Sequence, residues 1–360
     1  MDKHIEKSTH GGDVYRNQVK LDFSVNINPF GIPAGVKNAL MEAIDVCTQY
    51  PDAQVEALRI AMAKKKSISP DCLLFGNGAS ELFVAIIHAK KPRTVLIPVP
   101  AFSGYQSAAS CENCQVCYYY MEKEKDFSLT DDFIQILTSQ IEMHNAPDLI
   151  FLANPNNPTG NCIQSDILLQ LISLCETHNI TLVIDECFIE FTTHAEESLI
   201  RMAVQSQCLI VVRAFTKIYG IPGVRLGYLA ASKENIKQLR KQLPEWNVSL
   251  LAQYAGMAAL KEVDFVNNTV AYVKTQRAYL TKQLQELGLM VWAGEADYLL
   301  FWSDQDLYQA LLQKKILIRD CSNYEGLGRG YYRIAVKREE ENKQLIQALK
   351  ECLANVGNKL

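Results

Sequence analysis

The sequence predicts an α/β fold: a large domain on a mostly parallel sheet flanked by helices, plus a smaller α+β domain. Three observations predict it. Short apolar runs recur without polar alternation, which suits strands buried on both faces. Helical stretches alternate with those runs, as βαβ units require. Beyond about residue 232 the pattern changes, first to long helical periodicity and then to short mixed elements. With 360 residues and 48% hydrophobic content, the chain can bury a core of that size.

The predicted strands are TVLIPVP (94–100), DLIFLANP (148–155), TLVIDE (181–186), CLIVVRA (208–214) and RLGYLAA (225–231). QVCYYYM also reads as a strand after a loop. SELFVAIIHAK (80–90) and SDILLQLISLCETHN (165–179) read as helices between strands. Short strands DYLLFW and YYRIAV and a closing helix make up the end. The expected division is a large domain over 45–250, with 1–44 and 251–360 forming an N-terminal arm plus the smaller domain.

Charge and composition exclude several functions. Lys and Arg number 36 against 40 Asp and Glu, a net charge of −4. No basic block offers a nucleic-acid surface. MDKHIEKSTHGG is charged and has no apolar centre, so it does not read as a signal peptide. No apolar run approaches the roughly 20 residues that span a bilayer. The expectation is a cytoplasmic protein. Of the 11 cysteines, Cys111, Cys114 and Cys117 stand at C-x-x-C-x-x-C spacing, which can hold a metal or part of a cluster. No fourth ligand stands nearby and the segment continues as a strand, so no metal is expected.

The chemistry gathers at the C-terminal ends of the predicted strands, the edge at which parallel sheets bind ligands. Asn157 follows one strand in NPNNPTG, Asp185 ends another in VIDE, and Lys217 follows a third. GNGASEL (76–82) runs straight into a helix, so Gly78, Ala79 and Ser80 offer amides to a phosphate. Thr216 adds a hydroxyl and Arg225 a bidentate charge. A lysine amine, an aspartate and a phosphate cradle are the three needs of pyridoxal 5′-phosphate.

These residues sit in an ordered set of motifs: N-x-N-P-x-G from Asn26 to Gly31, YPD at 50–52, GNGASE, NPNNPTG, DE, TK…PGVRLGY and YYRIAVK. The set resembles the class I/II aminotransferase family of fold-type I pyridoxal-phosphate enzymes over nearly the whole chain. The resemblance implies a seven-stranded sheet and a homodimer. It implies that Lys217 takes the cofactor aldehyde and later moves a proton. It puts Asp185 on the ring nitrogen, Asn157 on the ring oxygen O3′ and Phe102 on the ring face. It puts Ala79, Ser80, Thr216 and Arg225 on the phosphate, with Tyr50 reaching the neighbouring subunit's phosphate. Arg333 is implied to clamp the substrate carboxylate, with Asn28 nearby. One departure stands out: the family often reads D-E-x-Y, and here DECF puts Phe188 where a tyrosine hydroxyl would meet O3′.

Within the family, HGG (10–12), DECFIEF and ILIRDCSNYEGL (316–327) resemble the L-threonine-O-3-phosphate decarboxylases of cobalamin biosynthesis. The implied reaction is decarboxylation of O-phospho-L-threonine or a close phosphoamino acid, with Arg319 and His10 toward the substrate phosphate. The alternative is an aminotransferase for a phosphorylated amine such as histidinol phosphate. Both reactions use the same scaffold and differ in which Cα bond is aligned for cleavage.

Overall fold

The computed structural model describes residues 11–357. In chain order the elements are β1 (Leu21–Asp22), α1 (Ala34–Asp45), α2 (Glu56–Lys66), β2 (Leu73–Gly76), α3 (Ala79–Lys90), β3 (Thr94–Val99), α4 (Gly104–Ala109), β4 (Gln115–Tyr120), α5 (Asp131–Glu142), β5 (Leu149–Ala153), α6 (Ser165–His178), β6 (Thr181–Asp185), α7 (Ile200–Ala203), β7 (Leu209–Ala214) and β8 (Gly227–Ala230). There follow α8 (Lys233–Arg240), α9 (Leu250–Ala259), α10 (Val263–Glu286), β9 (Met290–Trp292), β10 (Tyr298–Trp302), α11 (Leu307–Gln313), β11 (Ile316–Leu317), β12 (Arg319–Asp320), β13 (Tyr331–Ala335) and α12 (Glu339–Gly357).

Seven strands form the central sheet in the order β2-β8-β7-β6-β5-β3-β4. β8 pairs antiparallel with both neighbours, and the pairings from β7 through to β4 are parallel. The sheet is covered on both faces, which is why its strands show no polar alternation. On β5, Ile150 and Leu152 join one buried cluster with Leu171 and Ile172 of α6, while Leu149 and Phe151 join the other with Phe83 and Ile87 of α3. Each fully buried side chain of this kind stabilises by about 1.5–3 kcal/mol. α6 carries its apolar residues at Ile167, Leu168, Leu171, Ile172 and Cys175, a helical stripe. It stops at Asn179, whose φ of 55° caps the helix in the left-handed region.

Two sequence expectations shift in detail. RLGYLAA begins pairing only at Gly227, because Arg225, at φ 60°, turns the chain out of the sheet. The edge strand LLFG (73–76) is four residues long, too short for periodicity to reveal. The three sulphurs of Cys111, Cys114 and Cys117 do not converge on a common point. No helix among the described residues is long and apolar enough to cross a membrane.

A second sheet, β12-β13-β10-β9, is antiparallel throughout. The N-terminal segment is stitched to it and to its surroundings. β1 pairs with β11, Phe23 donates to the Leu317 carbonyl, and Ala335 donates to the Phe23 carbonyl. This stitching brings Ser24–Asn26 and the second sheet to the C-terminal edge of the first.

Candidate active site

The ends of β3, β5, β6 and β7 open into a cavity of about 300 Å³. Its walls include Phe102, Asn157, Asp185, Phe188 and Lys217 from the central sheet, and Arg319, Tyr324 and Arg333 from the second sheet. Ala79, Ser80, Thr216 and Arg225 close one end. Predicted residues from distant parts of the sequence therefore meet in one place.

That end is built to take an anion. The first-turn N–H groups of α3, on Ala79 and Ser80, have no partner within the helix. Gly78 stands at φ +82°, and a Cβ there would lie 2.2 Å from Nη2 of Arg225. A side chain at 78 would thus displace the guanidinium from the helix start. A Cβ on Gly227 would lie 2.7 Å from the Ala79 nitrogen, so this glycine lets β8 pack against the same turn. Arg225 is steadied by a 3.1 Å bond to the Pro222 carbonyl.

Deeper in, Asp185 ends β6. Its Oδ2 accepts from the Tyr105 hydroxyl at 2.7 Å and its Oδ1 from the Cys187 N–H at 2.9 Å. Burial raises its pKa above the usual carboxylate value, against the pull of those hydrogen bonds and of Lys217. Burial also lowers the pKa of Lys217, favouring the neutral amine, with the positive charges of Arg333 and Arg225 adding to the shift and Asp297 opposing it. The Lys217 amine lies 5.6 Å from the centroid of Phe188. Phe188 packs edge-on against Tyr298, with ring centroids 5.1 Å apart, so its lost hydroxyl is replaced by ring packing. Phe102 fits its ring over Gly104, where a Cβ would sit 2.2 Å from it.

The far wall carries two arginines side by side. Arg319 of β12 and Arg333 of β13 are cross-strand partners, both buried and both facing the cavity. Like charges in that position repel. Tyr324 lies between them: its ring is 5.2 Å from Arg319, and its hydroxyl accepts from Arg333 at 3.3 Å. Arg333 also donates to Asn157 Oδ1 at 2.5 Å and to the Ser24 carbonyl at 2.9 Å. That first bond commits the Asn157 oxygen and leaves its amide N–H₂ as the available donor. Arg319 donates to Asn323 Oδ1 at 2.8 Å and to the Asp320 carbonyl at 2.6 Å.

Asn28 does not join the cavity. Its amide donates to the Ile218 carbonyl at 2.6 Å and to Thr269 at 2.8 Å, and its Oδ1 accepts from Phe30 N–H at 2.8 Å. Its own N–H donates to the Lys217 carbonyl. Asn28 is a bracket for the Lys217 turn, and the residue of that motif lining the cavity is Asn26, whose Oδ1 is buried without a partner among the described residues. Tyr50 stands 80% exposed, against Trp246 at 4.9 Å, well placed to meet another molecule and outside this chain's own cavity. His10 lies outside the described residues. Tyr105 and Asp297 escaped the sequence reading, and Tyr324 stood within ILIRDCSNYEGL without a role. Tyr105 stood within PVPAFSGY without a signal of its own. Asp297 is fully buried behind the site, and burial pushes its pKa up to about 6.

The arrangement can hold a phosphate at a helix start, present an amine of lowered pKa to a carbonyl, place a carboxylate against a cationic ring nitrogen and clamp anions with two arginines. A family model, aminotransferase class I and II, matches residues 18–349. The chain is 34% identical to a threonine-phosphate decarboxylase of Salmonella typhimurium, over 97% of this chain and 98% of that one. Among solved structures it is similar to a histidinol-phosphate aminotransferase from Clostridium acetobutylicum: TM-score 0.85, 29% identity, covering 93% of this chain and 99% of that one. It is also similar to an L-threonine-O-3-phosphate decarboxylase from Porphyromonas gingivalis: TM-score 0.81, 27% identity, covering 93% and 99%. On its fold, its motifs and these likenesses, the chain belongs to the class I and II aminotransferase family.

Proposed function

We propose that the chain is a pyridoxal-phosphate-dependent decarboxylase of O-phospho-L-threonine or a close phosphoamino acid such as O-phosphoserine, supplying the aminopropanol phosphate used in cobalamin assembly. The observation that carries the reading is the buried Arg319–Arg333 pair. Two adjacent cations facing one cavity suit a substrate with two anionic ends, a carboxylate and a phosphate. The decarboxylase relative, at 34% identity over nearly the whole chain, favours loss of the carboxylate.

The residues present fit the cofactor. Ala79 and Ser80 amides, Thr216 and Arg225 would hold its phosphate, Lys217 its aldehyde, and Phe102 its ring face. Asp185 would hold the proton on its ring nitrogen, and the Asn157 amide would donate to O3′. When bound, pyridoxal phosphate supplies an electron sink for a carbanion at the substrate Cα. Arg333 anchors the carboxylate and Arg319 the phosphate, and between them they set which Cα bond is aligned for cleavage. Lys217, whose pKa burial lowers, would take the proton of the incoming substrate ammonium and give it to Cα after carbon dioxide leaves. Tyr50 reaches across to the phosphate of a second copy, which makes the working unit a homodimer. The large domain runs over 45–250, with the arm and C-terminal third forming the smaller one.

The histidinol-phosphate aminotransferase likeness supports a second reading, transamination of a phosphorylated amine with 2-oxoglutarate. A substrate panel separates the two. Carbon dioxide from O-phospho-L-threonine, without glutamate from 2-oxoglutarate, is expected. Glutamate formation without carbon dioxide overturns the decarboxylase reading.

A further inference from the structure

Outside the cavity, three loops bring a sulphur, an imidazole and a carboxylate together. Cys162 follows NPNNPTG, His194 follows β6, and Glu295 lies between β9 and β10. Their donor atoms all lie within 4.8 Å of one another, and each residue is half-buried. We propose that Cys162, His194 and Glu295 form a binding site for a zinc-class divalent ion that staples these loops together.

The loops are held in position without an ion. Gly160 and Gly294 touch so closely that a Cβ on Gly294 would lie 2.2 Å from the Gly160 carbonyl carbon. Glu295 donates its N–H to the Gly160 carbonyl at 2.7 Å. Arg277, the cation beside the cluster, is turned to the carbonyls of Glu295 and Ala296, away from competing for the carboxylate. The approach of the two glycines is what brings Cys162 and Glu295 to one place.

Around the three donors stands an outer ring of the kind metal sites use. A ligating histidine commonly gives its other ring nitrogen to a carboxylate, fixing its tautomer. Here His194 Nε2 faces Glu295 Oε1 at 3.1 Å, and Nδ1 faces Glu197 Oε1 at 3.0 Å. Glu197 is in turn held by Ser165 at 3.2 Å, and Glu295 by Thr193 at 3.1 Å. Zinc bonds of about 2.0–2.3 Å in tetrahedral geometry put neighbouring donors roughly 3.3–3.7 Å apart; His194 Nε2 and Glu295 Oε1 stand 3.1 Å apart, and the sulphur lies within 4.8 Å of both. Thiolate, carboxylate and neutral imidazole around a dication sum to zero charge, which suits a half-buried site.

Without the ion, His194 bridges the carboxylates of Glu197 and Glu295. This site is independent of the reaction catalysed next to it, and none of its residues lines the cavity.

The test uses the full-length holoenzyme after chelator treatment and dialysis. Cobalt(II) is added as a spectroscopic probe and zinc as the competing ion. One ion bound per chain and tetrahedral ligand-field bands in the red beyond the cofactor's absorbance are expected. Cys162→Ser and His194→Gln should each weaken zinc binding by about 100-fold or more, and Glu197→Gln by about 10–100-fold, with turnover unchanged. A rise in wild-type melting temperature with zinc, reversed by chelator, tests the site without any variant. Wild-type uptake no greater than that of the Cys162→Ser/His194→Gln double variant overturns the proposal, and so does cobalt bound without tetrahedral bands.

Discussion

Arg213 and Arg333 are both buried arginines on strands, and their surroundings differ in kind. Arg213, 1% exposed on β7, is met by acids: Nη2 bonds Glu190, and Nη1 lies 3.9 Å from Glu186. Arg333, 5% exposed on β13, bonds only neutral groups, Asn157, Tyr324 and the Ser24 carbonyl, and forms no salt bridge among the described residues. A buried cation closed by carboxylates is complete and serves the fold. A buried cation surrounded by neutral acceptors has its desolvation offset only when an anion arrives. The difference separates Arg213, paired within the fold, from Arg333, proposed to take a substrate anion, without reference to any motif.

Lys217, half-buried at the cavity wall, has the most to lose. Lys217→Ala should lower turnover by at least about 10³-fold and abolish the visible absorbance of lysine-bound cofactor. A retained spectrum refutes its assignment. Arg213→Leu strands Glu186 and Glu190 and should destabilise by about 3–5 kcal/mol in urea denaturation, because an uncompensated buried charge remains. Arg333→Gln should do the reverse. Stability holds or rises, while kcat/KM falls by about 100-fold, near 3 kcal/mol, for loss of a buried charged contact to substrate. If Arg333→Gln unfolds the chain as Arg213→Leu does, the comparison breaks.

Asp297 sharpens the comparison from the acid side, as a buried carboxyl whose two oxygens have no hydrogen-bond partner among the described residues. Burial raises its pKa to about 6 in the folded chain. Between pH of about 4 and 6 the folded state then holds a proton that the unfolded state has released. Its contribution to stability is present at the acid end and is lost as pH rises through 6, by about 2–3 kcal/mol. Asp297→Asn should remove that decline, measured by urea denaturation of cofactor-free protein at both ends of the window. The smallest effect belongs to Tyr50→Phe. Removing one exposed hydroxyl should weaken cofactor binding by about 2–10-fold in equilibrium dialysis and leave stability unchanged.

Much of the central sheet was legible because strands covered on both faces leave an uninterrupted apolar signature, and the punctuation after each one marks the binding edge. Lys217, Asp185 and Asn157 were visible for that reason. Asn28 and Asn26 were not distinguishable, since two asparagines two residues apart look alike until hydrogen bonds show that one braces the chain and the other lines the cavity. Tyr105 and Asp297 were silent for a different reason. Each acts through a partner far away in sequence, and such a pairing is a property of topology, absent from local pattern. The repulsive register of Arg319 against Arg333 likewise exists only once β12 meets β13.

The burial that readies Lys217 also makes it vulnerable. An amine whose pKa burial lowers is a better nucleophile toward any small aldehyde or acylating agent able to enter the cavity. Chain made ahead of cofactor supply is therefore open to irreversible acylation at the amine proposed to hold the cofactor. The cofactor's aldehyde, once seated there, acts as a protecting group, and purified protein lacking it should lose recoverable activity on storage faster than protein kept loaded.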